Sequence, residues 1–185
     1  MRILPQKTIA LCIDMQEKLI PVMHDADHLI KRASILLEGL NILGVETKFL
    51  RQYPKGLGDT IPKIRALAGE AHQPYDKLAY SALGDEAIKE MLETKQAENG
   101  IQNILVFGIE AHICVLQSCI DLKAAGFTPV LICDAVSSRN PWERELATRR
   151  AEQEEVLLSS VESILFELCR VAGMDEFKQI SRLVR

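Results

Sequence analysis

Short runs of aliphatic and β-branched residues alternate along this chain with longer segments in which apolar residues recur every three to four positions. Three short runs, residues 8–13, 103–109 and 129–133, are apolar on both faces and bounded by polar or turn-forming residues. This pattern is typical of fully buried parallel strands. Residues 46–50 are a shorter candidate strand, and residues 155–159 are a candidate edge strand.

The longer segments have helical periodicity, and the residues at their ends support that interpretation. The predicted helices cover residues 27–43, 85–97, 112–125, 141–154 and 161–172. Gly44 and Gly126 follow two of them, where a left-handed C-cap favours glycine. Asn140 and Pro141 suit an N-cap followed by proline in the first helical turn.

Strands and helices therefore alternate, and parallel strands must be joined by crossover helices because tight hairpins cannot connect them. We predict an α/β fold, a Rossmann-like three-layer α/β/α sandwich with a mostly parallel central sheet. The chain length of 185 residues suits one domain over residues 1–185. Residues 51–74 are the longest irregular segment, and such insertions after a strand end tend to build ligand sites.

Composition and charge limit the classes of partner. Hydrophobic residues make up 48% of the chain and charged residues 26%, which is typical of a globular protein with a sizeable core. The net charge of −4 provides no broad basic surface, so we expect no nucleic-acid partner and no membrane partner. No apolar run approaches the roughly 20 residues that cross a bilayer, and the first residues lack a secretory pattern. We expect a cytoplasmic protein.

The five cysteines, Cys12, Cys114, Cys119, Cys133 and Cys169, are an odd number and include no CxxC pair. We interpret them as free thiols in a reducing compartment, since a buried thiol behaves as a small hydrophobic group. Cys114 differs because it lies in the first turn of a predicted helix, where backbone N–H groups favour the thiolate. The alternative is that Cys114 simply packs beneath the sheet.

Two more residues are candidates for chemistry at the same edge of the sheet. Asp14 emerges directly after the first predicted strand, but aspartate in that position is also a common turn or helix cap. Position alone leaves both roles open. Lys77 precedes a predicted helix, and an isolated lysine is usually solvated. Composition and spacing do not single it out.

Three motifs together carry a resemblance to a known family. They are LCIDMQ at residues 11–16, KLAYSAL at residues 77–83 and GIEAHICVLQ at residues 108–117. In this order and spacing, the chain resembles the isochorismatase-like cysteine hydrolases over most of its length. Residues 51–58 and 134–139 are also similar to the branch known as isochorismatase domain-containing proteins.

The resemblance implies an Asp-Lys-Cys triad, which maps onto Asp14, Lys77 and Cys114. We hypothesise that Asp14 takes the thiol proton during attack on an amide carbonyl, while Lys77 orients the carboxylate. The resemblance also implies a non-proline cis peptide between Ile109 and Glu110, which turns the amide of Glu110 toward the site. With the amide of Cys114, it would supply the two donors that an oxyanion needs.

Several polar residues in these motifs should converge on the strand ends. We expect Gln16, Gln52, Tyr53, Tyr80 and His112 to line the pocket of a small polar substrate. His112 also lies at a helix start, and the alternative is that it only caps the helix. The residues do not identify the substrate further.

The same resemblance bears on metals and assembly. The nicotinamidase branch carries an Asp-x-His metal site after the second strand, but residues 51–54 read Arg-Gln-Tyr-Pro here. His24 and His28 have a spacing that could bind a metal, yet their acidic neighbours indicate an exposed turn. We predict no metal and no cofactor. Family members are commonly oligomers, so we expect a homo-oligomer, although the charged 141–154 helix is most simply a solvated face.

The leading hypothesis is a metal-independent cysteine hydrolase of a small amide-like substrate, acting through a thioester. One alternative is a vinyl-ether hydrolase of the isochorismatase type, which relatives run with the aspartate as acid and without a thiol. Another is a binding or scaffold module that kept the triad but lost turnover. A peroxide-sensing thiol is disfavoured because Cys119, five positions beyond Cys114, lies on a different part of the helix.

Overall fold

The computed structural model describes residues 2–173 and 175–185. Its strands are β1 (Thr8–Ile13), β2 (Thr47–Gln52), β3 (Tyr75–Lys77), β4 (Asn103–Gly108), β5 (Thr128–Val136) and β6 (Leu157–Ser159). They form one six-stranded sheet in the order β3-β2-β1-β4-β5-β6, and every neighbouring pair is parallel. The strand order reverses between β1 and β4, which is where open α/β sheets place their ligand sites.

The helices cover both faces of the sheet. They are α1 (Ala26–Ile42), α2 (Pro54–Leu57), α3 (Pro62–Ala68), α4 (Glu86–Asn99), α5 (Leu116–Ala124), α6 (Pro141–Gln153), α7 (Val161–Cys169) and α8 (Asp175–Leu183). One hydrophobic cluster joins α1, α3, α7 and α8 to the sheet, and a second cluster joins α4, α5 and α6 to the opposite face. The predicted three-layer α/β/α fold is confirmed. Within the described ranges, no helix combines the length and apolar character needed to cross a bilayer.

The two central strands explain why the fold could be recognised. All residues of β1 and β4 are buried, because each strand is covered on both faces. Ala10 and Cys12 contribute to one cluster, whereas Ile9, Leu11 and Ile13 contribute to the other. Each fully buried aliphatic side chain of this size contributes roughly 1.5–3 kcal/mol, so the centre of the sheet carries much of the folding free energy.

The elements near the sheet edges differ from the sequence expectation. The segment 51–74, predicted to be irregular, instead contains the end of β2 and the short helices α2 and α3. Strand β3 was not predicted, because it has only three residues and pairs only with β2. Helix α8, near the C-terminus, was also not predicted. The helix expected from residue 112 begins with a π-helical turn, Ala111–Val115, before α5 starts at Leu116.

Gly108 allows β4 to approach β1 closely at the carboxyl ends of these two central strands. Its φ of +114° lies in the region that favours glycine, and a Cβ atom there would lie 2.1 Å from the Ile13 carbonyl oxygen. The next residue, Ile109, donates its N–H to that same oxygen at 3.0 Å. The close approach therefore places the segment after β4 beside the end of β1.

Candidate active site

Asp14 occupies a tight turn at the end of β1. Its N–H donates to the Leu50 carbonyl at 3.1 Å, and its own carbonyl accepts from the Gln16 N–H at 2.7 Å. Its φ of +52° is left-handed, a conformation that aspartate adopts more readily than most residues. The residue is 1% exposed, so the turn directs the carboxylate into the protein rather than into solvent.

Lys77, the last residue of β3, pairs with this carboxylate. Its Nζ lies 2.8 Å from Oδ2 of Asp14, and the two side chains are 0% and 1% exposed. The usual solvated state of an isolated lysine does not apply here, because a buried ammonium is stable only when it is paired and hydrogen-bonded. The pair joins strands β1 and β3 across β2.

Cys114 lies in the π-helical turn after β4 and is 6% exposed. Burial raises the pKa of its thiol to about 12, the Asp14 carboxylate raises it as well, and Lys77 opposes both. The sequence suggested that the helix start would favour a thiolate. The raised pKa instead indicates a protonated resting thiol, because burial disfavours the charged form.

The second carboxylate oxygen of Asp14, Oδ1, is the candidate acceptor for the Cys114 thiol proton. Burial raises the pKa of Asp14 above its ordinary value, and Lys77 offsets only part of that rise. Oδ1 is buried and has no donor at ordinary hydrogen-bond distance among the described residues, although weaker contacts with the Cys114 thiol and the Gln52 backbone N–H lower the pKa of Asp14. Cys114 is nevertheless close enough to influence the pKa of Asp14, and Asp14 and Lys77 in turn influence that of Cys114. The three side chains therefore share one hollow.

Two backbone N–H groups in the segment that carries the thiol are candidates for binding an anion. The peptide between Ile109 and Glu110 is cis, and the N–H of Glu110 has no acceptor among the described residues. The N–H of Cys114 has no partner outside its own helical turn. The Glu110 carboxylate lies to one side, where it accepts from the N–H and Nε of Arg139 at 3.0 and 3.1 Å.

The five residues that were expected to line the pocket differ in burial and in their contacts. Gln16 is fully buried, and Gln52 is half-buried and contacts Lys77. Tyr53 and Tyr80 are 51% and 57% exposed, at the surface beside the end of β3. His112 is half-buried, with Nδ1 2.9 Å from Oγ of Ser138. Gln16 and Gln52 are therefore part of the framework around Lys77, whereas the two tyrosines remain open to a ligand.

Sequence reasoning missed Ser118, which anchors the turn that carries the thiol. Its Oγ donates to the Cys114 carbonyl at 2.6 Å and accepts from the Ala82 N–H at 2.8 Å. This fully buried hydroxyl thus ties the Cys114 turn to the segment that follows Lys77. Its only sequence signal is a serine four positions after the cysteine, in a helix that also contains Gln117, Asp121 and Lys123.

The residues considered as metal ligands remain apart from this site. His24 and His28 are both exposed. In the described part of the chain, no group of three or more His, Cys, Asp or Glu residues is arranged to hold a metal ion.

Comparison with known proteins identifies the family. Residues 8–163 match the model of the Isochorismatase domain. The chain is 32% identical to isochorismatase domain-containing protein 1 of Salmo salar, over 99% of this chain but only 62% of that longer relative. It is also 32% identical to isochorismatase domain-containing protein 2 of Bos taurus, over 100% of this chain and 86% of the relative.

A solved structure extends this likeness to three dimensions. A Caenorhabditis elegans protein described as MAR1 ribonuclease shares 31% identity and superimposes with a TM-score of 0.90, covering 100% of this chain and 92% of its own. The fold and the matched model define the class as an α/β protein with an isochorismatase domain. The chain belongs to the isochorismatase family.

Proposed function

We propose that the protein is a metal-independent cysteine hydrolase of a small amide-like substrate, with Cys114 as nucleophile, Asp14 as proton carrier and Lys77 as the partner of Asp14. The buried ion pair beside the thiol, with one carboxylate oxygen left unpartnered, carries this proposal. A purely structural ion pair would not need an open acceptor next to a thiol, since an unpartnered buried oxygen costs stability.

In the first step, the sulfur of Cys114 bonds to the amide carbon while the thiol proton passes to Oδ1 of Asp14. Because the thiol pKa is raised to about 12, a free thiolate is scarce at neutral pH, and proton transfer must accompany the attack. The carbonyl oxygen becomes an oxyanion that accepts from the N–H groups of Glu110 and Cys114.

In the second step, the carbon–nitrogen bond breaks and the amine leaves with the proton from Asp14. This leaves a thioester on Cys114. Asp14 then removes a proton from water, and the hydroxide oxygen bonds to the thioester carbon. The carbon–sulfur bond breaks, Asp14 returns its proton to the sulfur, and the carboxylic acid departs as the thiol is restored. Lys77 keeps its charge throughout and compensates the negative charge whenever Asp14 is ionised.

A vinyl-ether hydrolase is a second candidate, favoured by the raised pKa of Asp14. A carboxyl group that holds its proton more tightly is a better general acid, and protonation of the vinyl ether starts that reaction. Cys114 has no necessary part in it. The two chemistries therefore differ in whether the thiol is required.

Exposed apolar residues on α6 support a homo-oligomer. Trp142 and Leu146 are one helical turn apart and are 53% and 41% exposed. We expect a mass above that of one chain by light scattering, reduced by Trp142→Glu. A monomeric wild-type protein would contradict this assembly.

The activity test is a panel of small primary amides with ammonia release as the readout, run beside isochorismate with pyruvate release as the readout. We expect ammonia release and, after rapid quenching, an acyl adduct on Cys114 by intact mass. RNA is included because the C. elegans relative is described as a ribonuclease. We expect no cleavage of RNA, since the net charge of −4 does not favour a polyanion.

Variants decide between the mechanisms. Cys114→Ala should abolish ammonia release and the adduct, with little change in melting temperature. Cys133→Ala, the same change at a half-buried thiol in β5, is the matched control and should retain activity. If Cys114→Ala keeps most of the ammonia release, the nucleophile is wrongly assigned. If it keeps pyruvate release instead, the vinyl-ether reaction is the correct one.

A further inference from the structure

The Lys77 ammonium has no hydrogen left for a substrate. It carries three N–H bonds. One is directed at Oδ2 of Asp14 at 2.8 Å and one at Oε1 of Gln52 at 2.7 Å. The third is shared by the carbonyl oxygens of Tyr80 and Ala79 at 3.2 and 3.4 Å. Besides lowering the pKa of the Cys114 thiol, Lys77 therefore influences the reaction through Asp14, and the acceptors around its ammonium fix the position of that ammonium.

Gln52 is held at both its side chain and its backbone. Its Nε2 donates to the Leu78 carbonyl at 2.8 Å, which directs its oxygen toward Lys77. Its backbone N–H donates to Oε1 of Gln16 at 2.8 Å, and its carbonyl accepts from Nε2 of Gln16 at 3.0 Å. The Gln16 amide also donates to the Gly58 carbonyl at 2.8 Å. A fully buried amide thus clamps the end of β2.

Removing the Gln52 oxygen would free one hydrogen of the ammonium. The buried acceptor without a partner in this hollow is Oδ1 of Asp14. An unsatisfied buried ammonium would be expected to turn toward it and hold both carboxylate oxygens. Asp14 would then have no oxygen available for the thiol.

We propose that Gln52, clamped by Gln16, is a positioning residue that keeps the Lys77 ammonium on Oδ2 of Asp14 and leaves Oδ1 free to accept the thiol proton. This inference rests on the proposed function, in which Asp14 takes that proton. It assigns Gln16 and Gln52 to the support of the proton carrier rather than to contact with the substrate. Gln52 suits this task because a neutral acceptor binds the ammonium without adding a second negative charge.

The test measures alkylation of Cys114 by iodoacetamide between pH 5 and 9, using intact mass and peptide mapping. The sulfur bonds to the methylene carbon, iodide leaves with the carbon–iodine electron pair, and the thiol proton passes to Asp14. A thiol that reacts only as free thiolate speeds up about tenfold per pH unit below its pKa. We expect a nearly flat profile in the wild type above the pKa of Asp14.

Two variants of Gln52 separate positioning from structural support. Gln52→Leu should slow alkylation at pH 7 by at least about tenfold and restore a rise with pH. Gln52→Glu keeps an acceptor for Lys77 and adds a carboxylate, so the acid limb should move to higher pH by about one unit. Gln102→Leu makes the same change at an exposed site before β4 and should leave both rate and profile unchanged.

The outcomes distinguish this inference from the proposed function. If both Gln52 variants lower the melting temperature but keep the wild-type rate and pH profile, Gln52 only supports the fold and the inference is overturned. If the wild-type rate itself rises in proportion to hydroxide, or Asp14→Asn leaves it unchanged, the role of Asp14 fails whatever Gln52 does.

Discussion

Two charged clusters lie side by side where β2 and β3 end, and they occupy very different surroundings. Asp76 and Lys77 are consecutive residues of β3, so their side chains point to opposite sides of the strand. Asp76 pairs with Arg51, which also pairs with Asp59. The side chains of this outer cluster are 21–50% exposed. Lys77 pairs with a carboxylate in the interior.

Distance does not distinguish the two clusters, but burial does. The nitrogen–oxygen separation is 2.7 Å between Arg51 and Asp59 and 2.8 Å between Lys77 and Asp14. For Asp59, partial burial opposes ionisation, but hydrogen bonds from Arg51 and the Thr60 amide prevail and lower its pKa. For Asp14, burial prevails and raises the pKa. Similar nitrogen–oxygen distances thus accompany a lowered pKa outside, where Asp59 also has Arg65 and the Thr60 N–H as donors, and a raised pKa inside, where burial prevails.

Removing the buried cation should have the largest effect. Lys77→Met has similar length and leaves the Asp14 carboxylate without its counter-charge. We expect the free energy of unfolding to fall by about 3–5 kcal/mol, measured by denaturant titration, with loss of turnover. A loss below about 1 kcal/mol would show that the pair is no more costly to break than a surface pair.

Removing both buried charges should be less harmful than removing one. In the double variant Asp14→Asn/Lys77→Met, no isolated charge remains, so stability should recover relative to Lys77→Met alone. We expect a coupling energy of about 1–3 kcal/mol from the double-mutant cycle. Additive effects of the two substitutions would contradict a direct interaction, and activity should stay absent in either case.

The pH dependence of turnover should follow Asp14. Protonation removes the acceptor, so amide hydrolysis should fall about tenfold per pH unit below the pKa of Asp14. Because that pKa is raised, the fall should begin at a higher pH than for an ordinary aspartate. The sign is opposite for vinyl-ether hydrolysis, which needs the protonated carboxyl and should speed up as the pH falls. Initial rates across the pH range on both substrates separate the two.

Substitutions in the outer cluster should have little effect on the free energy of unfolding or on activity. Arg65 pairs with Asp59 while it is 47% exposed. Arg65→Gln should change the free energy of unfolding by less than about 1 kcal/mol and leave activity intact. Any difference from wild type should shrink further in high salt, because exposed charges are screened. A larger, salt-insensitive loss would show that the outer cluster also supports the site.

The central part of the fold could be predicted, because short continuous apolar runs are typical of fully buried parallel strands. The bounds of β1 match the prediction, since all its residues are buried. The three residues of β3, Tyr75–Lys77, include two charged side chains and pair with only one neighbour. These residues form a strand because they pair with β2, so their own sequence contains no strand pattern. Edge elements of this kind become visible only when the sheet is assembled.

The site was less predictable for a similar reason. Asp14 and Lys77 are separated by 63 positions, and residue statistics alone place an isolated lysine in solvent. Only the family resemblance selected Lys77. The raised pKa of the Cys114 thiol could not be read from the sequence, because a local helix-start argument leaves out desolvation by distant residues. Likewise, spacing brought Gln16 and Gln52 to the strand ends but did not show that the Gln16 side-chain amide binds the Gln52 backbone.

The left-handed backbone at Asp14 restricts the amino acids that an engineer can install there. Most side chains pay roughly 1–2 kcal/mol in that conformation, whereas aspartate and asparagine tolerate it. Glutamate would keep the acid group but lose the fit, and alanine would combine a chemical deletion with a conformational penalty. Asparagine is therefore the replacement that isolates the chemistry. Of the two acidic amino acids, the shorter is the one that this left-handed turn favours.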